Sequence, residues 1–286
     1  MNQRLNWIDY IKVLCISLMV LCHVGMRGYV HQMIYAFHMP MFYLISGYLY
    51  KQKDWKMTLR CFMVPIVVIS FFRLIYTCVS DCFLLGGVDF WSVFSYENFY
   101  KSHTGKASLF TGQWFVITLM LCRFVLGDVK LIGRYTSNYK FLGLVCLLWM
   151  SIQHIIVGES EFQYYYPYLC LAALPFMCFG RWLKERGLRN ITTHKYTLAA
   201  LFILFIVIAT WNGEVDMSMN IYGKNYFFLF MTTLTSFVLL VWLFQRLPRN
   251  GIIETYAQGT LVILGTHLFI YKIFIDFIQI VRLCVR

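Results

Sequence analysis

The chain has 286 residues, 60% of them hydrophobic and 13% charged, where soluble domains average roughly 45–50% and about 25%. This composition, with a mean hydropathy of +0.64, excludes a soluble enzyme, a disordered protein and a secreted disulfide scaffold. It leaves a polytopic membrane protein, one integral domain over residues 1–286. The net charge of +12 does not point to nucleic acid, because the basic residues sit in short loops on alternate sides of apolar runs.

Taken in chain order, apolar runs near 10–28, 33–50, 60–80, 112–127, 139–157, 165–183, 196–211, 225–245 and 259–281 predict an all-α transmembrane bundle. About nine to ten spans are expected, since about 20 apolar residues cross a bilayer. Helices are required because an apolar span must satisfy its own backbone hydrogen bonds. Arg4, Asp9 and Lys12 precede the first run and no small-residue cleavage pattern follows, so this run reads as a retained span. With the N-terminus inside, inner loops carry Lys51, Lys53, Lys56 and Arg60, then Lys130, Arg134 and Lys140, then Arg181 to Lys195, then Arg246 and Arg249. Outer segments carry Asp81, Asp89, Glu97, Glu159, Glu161, Glu214 and Asp216. This is the positive-inside pattern; Arg282 and Arg286 at the tail depart from it.

The ten cysteines lie mostly within apolar runs and form no CxxC or Cys/His metal spacing, so they read as small buried hydrophobes. Cys78 and Cys82 are the one close pair in an outer region. No metal is expected.

Ionisable side chains inside the membrane are costly and mark function by default. Asp9, Lys12 and His23 share one face of the first span, because Lys12 to His23 is close to three turns. His23 and His38 flank the short first connection and should lie at similar depth. Arg73 on the third span matches that depth, as do Gln113 and Trp114 entering the fourth. His267 is expected deeper, in the last span. A lone intramembrane histidine can equally serve as a helix–helix hydrogen-bonding residue, and Arg73 can snorkel outward; both readings stand on chemistry alone. Trp7 and Trp55 read as interfacial-belt residues, and His31, His103 and His194 as solvated loop residues.

Several segments resemble a known family. Arg4-Leu5-Asn6-Trp7-Ile8-Asp9-Tyr10-Ile11-Lys12 leads into a helix ending Val20-Leu21-Cys22-His23. Phe37-His38-Met39-Pro40-Met41-Phe42 and Ile45-Ser46-Gly47-Tyr48-Leu49 follow. Later come Gln113-Trp114-Phe115, Leu174-Pro175-Phe176 with Gly180, and Gly259-Thr260-Leu261 with Gly265-Thr266-His267. Together they resemble the acyltransferase type 3 family of membrane proteins, which includes bacterial polysaccharide O-acetyltransferases. The resemblance implies transfer of an acetyl group from acetyl-coenzyme A to a hydroxyl of a cell-surface or lipid-linked glycan. The implied location is the bacterial plasma (inner) membrane, among membrane lipids, with the N-terminus cytoplasmic. It maps the family's basic histidine onto His23, with His38 as a second site residue. Arg60 and Lys12 are expected on the donor, and Arg73, Trp114, Asp9 and His267 on the acceptor side. Met63 stands where many members have the second arginine of an Arg-x-x-Arg. The alternative reading is a transporter or exporter of a small solute or lipid-linked sugar, or an inactive relative, with the intramembrane His and Arg as pathway groups.

Overall fold

The computed structural model describes residues 5–85, 113–156 and 165–284. The expected outer acids Asp89, Glu97, Glu159 and Glu161, and His103, lie outside the described residues, as do the side chains of Asp81, Cys82 and Arg282. Each apolar run predicted from the sequence carries helix among its described residues: α1 (Asn6–Val24), α2 (Tyr29–Tyr35), α3 (His38–Tyr48), α4 (Trp55–Leu85), α5 (Trp114–Arg123), α6 (Lys130–Tyr135), α7 (Tyr139–Ile156), α8 (Tyr166–Glu185), α9 (Lys195–Asn212), α10 (Tyr226–Phe244), α11 (Gly251–Gln258) and α12 (Thr260–Cys284). Two two-residue strands, β1 (Val215–Asp216) and β2 (Ile221–Tyr222), form a small antiparallel hairpin between α9 and α10.

The segments Asn6–Val24, Trp55–Ser80, Lys195–Asn212, Tyr226–Phe244 and Thr260–Ile278 are each long and apolar enough to cross a membrane. The other runs behave differently. The second breaks into α2 and α3 at Ala36–Phe37, where Phe37 leaves helical geometry at φ −146°. Pro40 supplies the reason: in a continuous helix its ring would collide with the carbonyl of Ala36, four residues back. At about 1.5 Å per residue, the 11-residue α3 is roughly 16 Å long, too short for a hydrocarbon core of about 30 Å. It is buried inside the bundle, with Tyr43, Leu44, Met41 and Ile45 at 0–1% exposure.

α3 packs most extensively on α8, and glycines set how closely. A Cβ built on Gly47 would lie 2.0 Å from the Met177 carbonyl oxygen, and one on Gly180 would lie 1.9 Å from that of Leu44. In lipid, where helices gain nothing by leaving an apolar solvent, such small-residue contacts let backbones meet and drive association. Around this pair the core gathers Trp7, Phe115, Phe176 and Tyr226.

The predicted inner loops meet at one end of the bundle. Trp7 Nε1 donates to Arg189 O at 2.9 Å, Tyr48 OH donates to Leu188 O, and Tyr10 OH donates to Pro248 O at 3.0 Å. Gln245 and Ile191 exchange two hydrogen bonds at 2.7 and 2.6 Å, and Lys184 Nζ donates to Tyr50 O at 3.0 Å. Trp7, 2% exposed, is therefore a core residue that ties α1 to the α8–α9 loop, and not a member of an interfacial belt. Trp55 is exposed, as expected of that belt.

Candidate active site

Opposite the basic end, α1 finishes at Val24 with His23 in its last turn. Its imidazole stacks on that of His267 from α12, with centroids 4.9 Å apart and planes at 28°. The two rings thus share one level, and His267 does not lie deeper as expected. His267 Nδ1 is 2.9 Å from Leu264 O and 3.2 Å from Ile263 O. A carbonyl only accepts, so Nδ1 carries the proton and Nε2 of the neutral ring carries the lone pair. That Nε2 is buried and has no partner among the described residues. An uncompensated buried acceptor costs about 1–3 kcal/mol, which a substrate hydroxyl would relieve.

Other groups converge here. Arg73 lies within electrostatic range of His267, held on α4 where Gly265 of α12 lets Ile69 approach. His38, 1% exposed, lies within electrostatic range of His23, and its Nδ1 is 2.9 Å from Ile34 O. His31 and Tyr35 stack at 4.0 Å, and Tyr35 meets His38 edge-on at 4.8 Å. Read from the sequence as a solvated loop residue, His31 therefore belongs to α2 and to the aromatic wall beside His38. Gln113, fully buried, donates to Ser70 Oγ at 3.3 Å one turn from Arg73, and its Oε1 has no partner among the described residues.

The α9–α10 connection supplies a group that sequence reasoning counted only as an outer acid. Asp216 lies within electrostatic range of His23, its Oδ1 held by Ser218 N at 2.9 Å and Ser218 Oγ at 2.6 Å. Asn212 locks the connection by donating to Tyr222 O and accepting from Asn225 N. The cluster of Asn and Gly between 212 and 225 was the available signal, since such residues build specific turns.

The remaining predicted residues are not in this cluster. Trp114 meets its neighbour Phe115 edge-on at 6.0 Å and packs against the core. Asp9 sits in the first turn of α1, at the basic end, buried and within range of Arg249. Lys12 is half-buried one turn further, and Arg60 is exposed on α4. Among the described residues no three His, Cys, Asp or Glu side chains gather as a metal ion would need. The cysteines Cys15, Cys22, Cys122, Cys146, Cys170 and Cys178 are free and buried.

The basic end has its own organisation, centred on Asp128. Its chain segment, Phe124–Asp128, is a π-helical turn that Gly127 closes at φ +124°. The fully buried carboxylate accepts from Tyr50 OH at 2.9 Å, Lys53 N at 3.0 Å, Thr58 Oγ1 at 2.6 Å and Arg123 Nε at 3.0 Å. Arg123 also donates to Lys51 O at 2.9 Å, so the node clamps the α3–α4 loop onto α5. Burial and the Asp128 charge push the Tyr50 phenol up from its ordinary range, so it stays a donor. Nearby, burial together with the charges of Lys51 and Arg181 pulls the Lys184 amine down. Lys184 thus stands within electrostatic range of two further cations, one of them, Arg181, paired with Glu185 at 3.5 Å, and positive charge is concentrated at this end. We expect Asp128→Asn to destabilise the protein by about 3–5 kcal/mol, the cost of breaking a buried ion pair. A thermal melt in detergent checks this, and an unchanged midpoint would remove Asp128 from the structural framework.

No curated protein and no solved structure matches the chain. Residues 5–283 match the family model of the acyltransferase domain, nearly the whole chain, with the histidine pair and the basic end both inside the match. With five helices among the described residues long and apolar enough to cross a membrane, the chain is an integral membrane protein and belongs to the acyltransferase domain family.

Proposed function

We propose that this protein transfers an acetyl group from acetyl-coenzyme A to a hydroxyl of a cell-surface or lipid-linked glycan. The observation that carries this reading is the His23–His267 stack, with its unpartnered Nε2. His23 takes the proton of the acceptor hydroxyl, whose oxygen attacks the thioester carbonyl carbon. The carbon–sulfur bond breaks, and the proton passes from His23 to the leaving sulfur, so protons balance. A sugar hydroxyl needs such a base, and an imidazole titrates in the right range. His267 accepts a further hydrogen bond from the acceptor and fixes its approach. Arg73 stabilises the charge that develops on the carbonyl oxygen. His38 forms a wall of the acceptor site, while Trp114, packed on Phe115 and the core, supports it from outside.

The donor's phosphates belong at the basic end, facing the cytoplasm with the N-terminus, in the bacterial plasma membrane. Lys51, Arg181 and Lys184 form the cationic cluster there, with Arg60, Lys12 and Asp9 along the same end. Calorimetry on purified protein tests the placement. We expect coenzyme A to bind, more weakly at high salt, and Lys184→Ala to weaken it about tenfold, as loss of a charged hydrogen bond does. Arg249→Ala, a residue already paired with Glu254, should leave binding unchanged. No binding by a folded preparation would sink the donor assignment.

A further inference from the structure

α9 and α10 enclose an apolar groove of about 530 Å³, within the ~300–1,000 Å³ of ligand sites. Phe37, Leu198, Ala199, Phe202, Leu240 and Trp242 line it. Leu198 lies in the first turn of α9 and Trp242 in the last turn of α10, so the groove starts at the basic end and runs into the bilayer. Two features there are polar. Trp242 Nε1 is buried with no acceptor among the described residues, and hydrocarbon offers none. The Arg246 guanidinium lies 3.7 Å over the Trp242 ring and spends one donor on Trp242 O; the side chain has five. Lys195, exposed at the start of α9, adds a second cation.

We propose that this groove is a binding site for an anionic glycerophospholipid. One acyl chain fills the apolar trough, an ester carbonyl oxygen accepts from Trp242 Nε1, and the phosphate meets Arg246 and Lys195. The order of these groups from hydrocarbon to water matches the order in the lipid: chain, ester, phosphate. Basic residues between helices at the membrane surface recognise anionic headgroups in this way. A free phosphate or a detached headgroup would lack the apolar contact and bind poorly. The site is independent of the acyl-transfer reading.

Native mass spectrometry of the full chain in detergent tests it, with palmitoyl-oleoyl phosphatidylglycerol, the matching phosphatidylcholine, and glycerophosphoglycerol as probes. The expected result is retention of phosphatidylglycerol above phosphatidylcholine and no retention of glycerophosphoglycerol. Arg246→Gln should lower the anionic preference about fivefold, the effect of one basic residue at a surface. Trp242→Phe keeps the ring and should weaken both lipids. Ala199→Trp should fill the trough and abolish retention, with an unchanged thermal melt showing that the bundle stays folded. Should Ala199→Trp unfold the protein, Trp242→Phe and Arg246→Gln decide alone. Equal retention of the two lipids, retention of the headgroup alone, or wild-type behaviour of both Trp242→Phe and Arg246→Gln would overturn the proposal.

Discussion

Replacing His23 by alanine should lower acyl transfer by about 10²–10⁴-fold, the usual loss when a general base is removed, while the protein still inserts and folds. The side chain sits in the last turn of α1, at the edge of the bundle, so its truncation leaves the α3–α8 core untouched. The measurement is acetylation of surface glycan against the amount of inserted protein. His267→Ala should also impair transfer, by removing the Nε2 that receives the acceptor, and its effect should fall on acceptor KM as well as on kcat. Coenzyme A binding should survive both substitutions, because the basic end lies at the other end of α1. Full acetylation by the His23 variant would remove this residue from the mechanism. Loss of coenzyme A binding would instead mean that the two ends are not the separate donor and acceptor regions drawn above.

Gly180→Ala should cost the fold more than a methyl group added at any other described glycine. The new Cβ would lie 1.9 Å from Leu44 O and 2.8 Å from Tyr48 N, both backbone atoms. No rotamer change relieves a clash with backbone, so α3 and α8 must separate from 1.9 Å to an ordinary contact of 3.4 Å or more. Overpacking a filled core costs about 1–3 kcal/mol, and this contact stands at the upper end because α3 is held on several sides. Gly47→Ala meets the reciprocal obstacle at Met177 O, 2.0 Å away. Gly251→Ala is the control: nothing lies within 4 Å of its Cβ, at the first residue of α11. Thermal melts and the yield of monodisperse protein in detergent read the difference. A Gly180→Ala protein that melts with the wild type would show that the helices do not pack as closely as described.

The α-helical, membrane-spanning character of the chain was determined by the sequence alone, because apolar length and the need to satisfy backbone hydrogen bonds in lipid leave no other solution. The segregation of Lys and Arg into alternate loops also anticipated that residues 51–60, 130–140, 181–195 and 246–249 would gather at one end. Local chemistry placed His23, His38 and Arg73 near a common level, since depth along a helix follows from counting residues. Tertiary structure decided what counting cannot reach. Hydropathy treated 33–50 as one span, but Pro40 breaks it, and packing against α8 makes α3 an internal helix. The pairing of His23 with His267, 244 residues apart in the chain, depends on how α12 lies against α1, and helix periodicity says nothing about partners. Asp128 follows the apolar run near 112–127 with no motif in the sequence to mark it. Only the convergence of the α3–α4 loop, α4 and α5 on one buried carboxylate makes it a node. Asp216 reaches the histidines because a hairpin folds a connection back over the bundle. Gly47 and Gly180 were legible as family-like positions. Their reason is the contact between two backbones, which exists only once the helices are packed.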